Sequence, residues 1–271
     1  MKKLLILGLS FLNMALLLCS AHAEKMTGAM AYFRSGDVTL RGYVYRPEGS
    51  GPFPAVVYLR TGNKPITESA PPVPELGKFY TDKGFVLFVP MHRSAEELKV
   101  EVKGVQAKGN NHKKGKITLP EYTVMTKDIA AAVTWLKSQS FVNENRVAVA
   151  GQGSGAVGAL LLSQQDVEVS GYIIFSPAAQ TWSVKPELRD AMTYAIRESK
   201  VPIFLIQPQN DYSLEPSQAL AKELALKGKL NTSKVYPPFG TTHERAAQFA
   251  AAGSSMWGTD VIAFLGKVFN L

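Results

Sequence analysis

Cysteine is all but missing from this chain: Cys19 is the only one in 271 residues, and it lies in an apolar leader. With the leader removed, disulfides, zinc–thiolate sites and a cysteine nucleophile are all excluded. Histidine is scarce as well. Beyond His22 in the leader there are only His92, His112 and His243. No pair of histidines or carboxylates has metal-ligand spacing, so neither a metal nor another cofactor is expected. After Leu18 no apolar run is long enough to span a bilayer, so no stable membrane span is expected once the leader is gone. No internal repeat or low-complexity linker divides the rest.

The leader itself has the order of a secretory signal peptide. Met1-Lys2-Lys3 is followed by an apolar run from Leu4 to Leu18, and then by small residues at Ala21 and Ala23. Cleavage after Ala23 is expected, leaving residues 24–271 as one domain that is periplasmic or secreted. Two alternatives stay open: lipid attachment at Cys19, which the bulky Leu18 before it disfavours, and an uncleaved anchor. The formal net charge is +8, and loss of Lys2 and Lys3 lowers it by two. Lys99, Lys103, Lys108, Lys113, Lys114 and Lys116 concentrate the excess in a Gly- and Asn-rich segment that also holds His112. That segment reads as a solvated loop or as a contact for an anionic partner. No aromatic residues interleave the lysines and no nucleic-acid motif is present, so a nucleic-acid partner is not expected.

From residue 28 onward, strands alternate with helices. Met30–Phe33 and Val38–Tyr45 flank Ser35-Gly36-Asp37 as an antiparallel hairpin. Continuous apolar runs at Ala55–Leu59 and Phe85–Val89 predict strands buried on both faces. Further strands are expected at Arg146–Ala150, Tyr172–Phe175, Pro202–Ile206 and Lys234–Tyr236. Helices are expected at Glu121–Gln139, Gly155–Gln164, Glu187–Glu198, Ser217–Leu226 and Thr259–Phe269. A hairpin that feeds repeated βα units gives an α/β fold: a mostly parallel sheet with helices on both faces.

One strand-to-helix junction stands out, Gly151-Gln152-Gly153-Ser154-Gly155. In the α/β-hydrolase fold the nucleophile lies at such a junction, in the pattern G-x-S-x-G. Gly151 and Gly155 match its two glycines, but the residue between them is Gly153. A phosphate-binding turn is the other reading of these glycines. It lacks the Walker lysine and does not fit the dinucleotide spacing.

Around this junction the chain resembles the dienelactone hydrolase family. The resemblance rests on Val44-Tyr45-Arg46-Pro47-Glu48-Gly49, Phe53-Pro54-Ala55-Val56-Val57, Phe141-Val142, Phe175-Ser176-Pro177-Ala178-Ala179, Pro202–Gln207, Asn210-Asp211-Tyr212 and Tyr236–Thr242. It implies an α/β-hydrolase fold, with Asp211 as the family's acid. Members carry a Gly-His pair two residues before a Phe; taking Phe249 as that Phe, the corresponding residues here are Ala246 and Ala247. Where members have a His-Gly pair that helps bind the oxyanion, this chain reads Arg60-Thr61-Gly62. Nucleophile, base and oxyanion loop have all changed, which is what relaxed catalytic constraint leaves. The resemblance therefore implies a member with lost or reduced hydrolase activity, whose partner is a small molecule or ester.

The alternative is an active carboxylic-ester hydrolase with displaced machinery: Ser154 as nucleophile and oxyanion donor, Asp211 as acid and His243 as base, a workable chain order. His92, at the end of a strand on the edge where ligands collect in open α/β folds, is a candidate for the ligand pocket. Trp182, Tyr212, Phe239 and Trp257 are candidates for an apolar or aromatic lining.

Overall fold

The computed structural model describes residues 28–61, 72–91, 93, 97–98, 101–102, 117–228 and 230–271. The leader with Cys19, His92, His112, Gly62, Asn63 and the six lysines of the basic segment lie outside the described residues.

Alternating and continuous apolar runs form eight strands: β1 (Ala29–Ser35), β2 (Val38–Tyr45), β3 (Phe53–Leu59), β4 (Val86–Pro90), β5 (Val142–Gln152), β6 (Gly171–Phe175), β7 (Ile203–Pro208) and β8 (Thr232–Tyr236). They make one sheet in the order β1-β2-β4-β3-β5-β6-β7-β8. β1 and β2 are antiparallel, and so are β2 and β4. All remaining pairings are parallel. The central strands read as uninterrupted Val, Ile, Leu and Ala because both faces are covered: Val56, Val57, Val149 and Ile173 have no exposed surface.

The helices whose full ranges lie in the described residues are α1 (Pro74–Asp82), α2 (Leu119–Lys137), α3 (Ser154–Leu162), α4 (Pro186–Glu198), α5 (Glu215–Ala225), α6 (His243–Ala246), α7 (Phe249–Ala252) and α8 (Ser254–Phe269). One core lies under α2, α3, α4 and α5. The other lies under α1 and α8. The sheet between them is thus covered on both faces, as the alternation of strands and helices predicts. Within the described residues, no helix is long and apolar enough to cross a membrane.

α2 begins two residues ahead of the expected start. Thr118 and Glu121 form a capping box, with the Thr118 N–H donating to the Glu121 carboxylate at 2.6 Å. Pro120 adds to this by tolerating the first turn, where its missing N–H costs nothing. The sheet runs parallel through β5, β6 and β7, so the ends of these strands place Gln152, Phe175 and Pro208 on one edge.

Candidate functional site at the C-terminal edge of the sheet

At the end of β5 the chain turns into α3 with almost no connection, and the glycines make that possible. A Cβ on Gly151 would run into the Gly155 carbonyl, and one on Gly155 into the Leu59 carbonyl. Gly153 sits at the apex with φ 56° and ψ −114°. Its N–H donates to the Phe175 carbonyl at 3.0 Å. The backbone therefore keeps the sharp bend that presents a nucleophile in α/β hydrolases. The apex residue has no side chain to present. Ser154, half-buried, is the first residue of α3, one position past the apex.

The space beside the apex is filled from β3. The Thr61 hydroxyl donates to the Gln152 carbonyl at 2.7 Å. Below it, the Gln152 amide donates to the Ala247 carbonyl, and its oxygen accepts from the Tyr58 hydroxyl at 3.3 Å. Burial holds the Tyr58 hydroxyl well above its ordinary pKa, with the nearby Arg60 charge offsetting part of that effect. Tyr58 therefore stays protonated and can donate. The Gln152 side chain brings Ala247 against the elbow. Arg60 contributes backbone to the same junction, since a Cβ on Gly155 would lie 2.8 Å from its carbonyl oxygen.

Asp211 follows β7 and is buried. Its carboxylate accepts from the Gln207 amide at 2.9 Å and from the Tyr212 N–H at 2.7 Å. His243 opens α6 on the surface. Its Nδ1 meets the Asn210 carbonyl at 2.8 Å, and a carbonyl can only accept, so Nδ1 carries the proton. The ring stacks on Tyr212 at 5.1 Å between centroids. Among the described residues His243 Nδ1 is thus engaged by the Asn210 carbonyl, and the Asp211 carboxylate by the Gln207 amide and the Tyr212 N–H. Asn210 organises this corner, since its side chain also bonds Phe239 and Gly240.

The aromatic candidates divide into two groups. Tyr212 is 38% exposed beside His243, and its hydroxyl donates to Glu244 at 3.3 Å. Phe239 is partly buried between Phe249 and the Arg245 guanidinium, which lies 4.9 Å over its ring. Trp182 and Trp257, by contrast, are buried. Trp182 is buried in the core beneath α4. Trp257 is fully enclosed against Phe79 and Phe175, with its indole N–H donating to the Phe249 carbonyl at 2.9 Å. The expected helix start at Thr259 hid this: α8 begins at Ser254, which turns Trp257 inward.

The side chains that tie the site together are amides and a hydroxyl, namely Gln152, Gln207, Asn210 and Thr61. Only a polar residue at the end of an apolar strand, as at Gln152 and Gln207, marks them in the sequence. Among the described residues no cluster of histidine, cysteine, aspartate or glutamate could hold a metal ion.

The family model of the dienelactone hydrolases matches residues 40–268. A search of curated proteins finds no match. Among solved structures, a Penicillium α/β hydrolase, GrgF, superimposes with a TM-score of 0.64 at 14% identity, over 90% of this chain and 99% of its own. A dienelactone hydrolase from Anabaena variabilis gives 0.59 at 14% identity, over 86% of this chain and 97% of its own. The acylaminoacyl peptidase of Pyrococcus horikoshii gives 0.59 at 16% identity over 83% of this chain, which spans only 39% of that longer protein.

Proposed function

This chain belongs to the dienelactone hydrolase family, and on that premise we propose that it is an exported member whose hydrolase activity is lost or greatly reduced. The observation that carries the reading is Gly153 at the apex of an intact elbow. Acyl transfer by this fold needs a hydroxyl at the apex, an imidazole to take its proton, and a carboxylate to orient that imidazole. Here the apex has no side chain, the neighbouring position at the elbow is Ala247, and the carboxylate of Asp211 is occupied by a neutral amide. A working Ser154–His243–Asp211 arrangement would require His243 to leave both Asn210 and Tyr212.

What remains can bind a ligand without turning it over. Tyr212, His243 and the Arg245-covered face of Phe239 form a rim near the sheet edge where ligands collect in this class of fold. A small ester- or lactone-like molecule suits such a rim, in keeping with the family. The test is exposure of the wild-type protein to a fluorophosphonate probe, which phosphonylates only activated hydroxyls. No labelling above that of the denatured protein is expected, and rapid labelling at Ser154 would overturn the reading. Export has its own check: intact mass of protein recovered outside the cytoplasm should correspond to a chain that starts at Glu24, whereas a lipid-bearing Cys19 would contradict it.

A further inference from the structure

The vacated apex is not an empty seat. A Cβ built on Gly153 would lie 2.6 Å from Thr61 Oγ1, 3.2 Å from its Cγ2 and 3.4 Å from its Cβ. The first of these is far inside a normal non-bonded separation of roughly 3.5 Å. The atom in the way is held in place, because Thr61 Oγ1 donates to the Gln152 carbonyl at 2.7 Å, at the residue just before the apex. Rotating the threonine to make room would break that bond. Threonine is also stiff about χ1, since its Cβ carries two heavy atoms.

Building on the reading of the elbow as vacated, we infer that Thr61 is the positioning residue that closes the nucleophile's seat, so that residue 153 is confined to glycine by a side chain as well as by its own backbone. The Thr61 hydroxyl occupies the neighbourhood in which an apex serine would carry its oxygen. It does not replace that oxygen chemically, for its proton points at a neutral carbonyl that cannot accept it in a reaction. It satisfies the Gln152 carbonyl instead, and ties the end of β3 to the end of β5. Putting serine at 153 and histidine at 247 therefore does not rebuild a site while Thr61 remains.

A stability cycle separates this crowding from backbone strain. A non-glycine residue at φ 56° is strained whatever surrounds it. Only the collision depends on Thr61. Gly153→Ala and Gly153→Ser are each made in the wild-type background and in Thr61→Ala, which removes the two nearest atoms and keeps the Cβ at 3.4 Å. The expected result is that the fall in Tm caused by Gly153→Ala in wild type is at least halved in Thr61→Ala, and that Gly153→Ser follows the same pattern. Equal falls in both backgrounds would overturn the role of Thr61, leaving backbone strain alone as the reason for glycine. Should Gly153→Ser fail to fold in wild type, its folding in Thr61→Ala supports the inference, and the smaller Gly153→Ala pair decides if neither serine variant folds. Fluorophosphonate labelling of the wild-type protein would overturn the proposed function while leaving the outcome of this cycle standing.

Discussion

At the scale of single residues, the strongest polar anchor lies away from the elbow. Arg93, just past β4, gives Nε and Nη2 to the two oxygens of Asp128 on α2, each at 2.8 Å. Ser35 at the end of β1 donates to the same carboxylate at 2.6 Å, and Glu101 takes a third guanidinium hydrogen bond at 3.1 Å. Both members of the central pair are almost fully buried. Removing Asp128 leaves the buried guanidinium with the half-exposed Glu101 carboxylate alone, which costs more than the pair contributes. Asp128→Ala is expected to lower stability by about 3–5 kcal/mol in denaturant unfolding. A loss below about 1 kcal/mol would mean that water reaches the guanidinium. Nothing local marks Arg93 and Asp128 as partners, because they are 35 residues apart. Gly151 and Gly155 were legible for the opposite reason: the bend they permit closes within five residues. Thr61 was legible only as part of the changed oxyanion loop; its contact with Gln152 was not, since that exists only once β3 lies beside β5.

At the scale of elements, the sequence pattern located every described strand; for the central ones, burial on both faces writes itself as an unbroken apolar run, whereas β1 and β2 were marked by the turn between them. It was weaker for helices whose buried stripe is not apolar in composition. The buried residues of α1 are Leu76, Gly77, Tyr80 and Thr81; Gly77 is small because Tyr45 packs against it, so only Leu76 and Tyr80 mark the stripe at helical spacing. The four-residue helices α6 and α7 are too short to carry a period at all. β8, at the edge of the sheet, is exposed except at Tyr236. It is held to α8 by Asp260, which accepts from Lys234 at 2.6 Å and from the Tyr236 hydroxyl. The Lys234 hydrogen bond first, and then that of Tyr236, hold the Asp260 carboxyl below its ordinary value of 3.8. A depressed folded value means that the contribution is present at neutral pH and is lost as pH falls below the ordinary carboxylate range. Asp260 is 38% exposed at its side chain, so solvent screening limits the effect. Asp260→Asn is expected to cost about 1 kcal/mol at pH 7 and close to nothing at pH 3, read by urea unfolding at both values. A difference that persists unchanged at pH 3 would show that charge is not the cause.

At the scale of the whole molecule, the sheet order, the two covered faces and the family match over residues 40–268 describe an intact hydrolase scaffold. The residues on which the proposed reading rests lie at one edge of it. The elbow is a sharp bend with Gly153 at its apex, Asp211 lies on the loop after β7, and on the proposed reading neutral hydrogen-bonding groups stand where reactive ones would act. The sharp bend is fixed by packing, since a Cβ at Gly151 or Gly155 would meet neighbouring backbone. Such contacts keep the fold whether or not chemistry takes place. Tyr212 and His243, stacked on one another, remain exposed at this edge, as the proposed ligand rim requires.

The most direct test of this account is the reaction of the purified wild-type protein with a fluorophosphonate probe, followed by peptide mapping. The account predicts no modified serine or threonine beyond the level in heat-denatured protein, and the same null result for Ser154→Ala and His243→Ala. Stoichiometric modification of Ser154 that His243→Ala abolishes would contradict it, and would make this chain a serine hydrolase with displaced machinery.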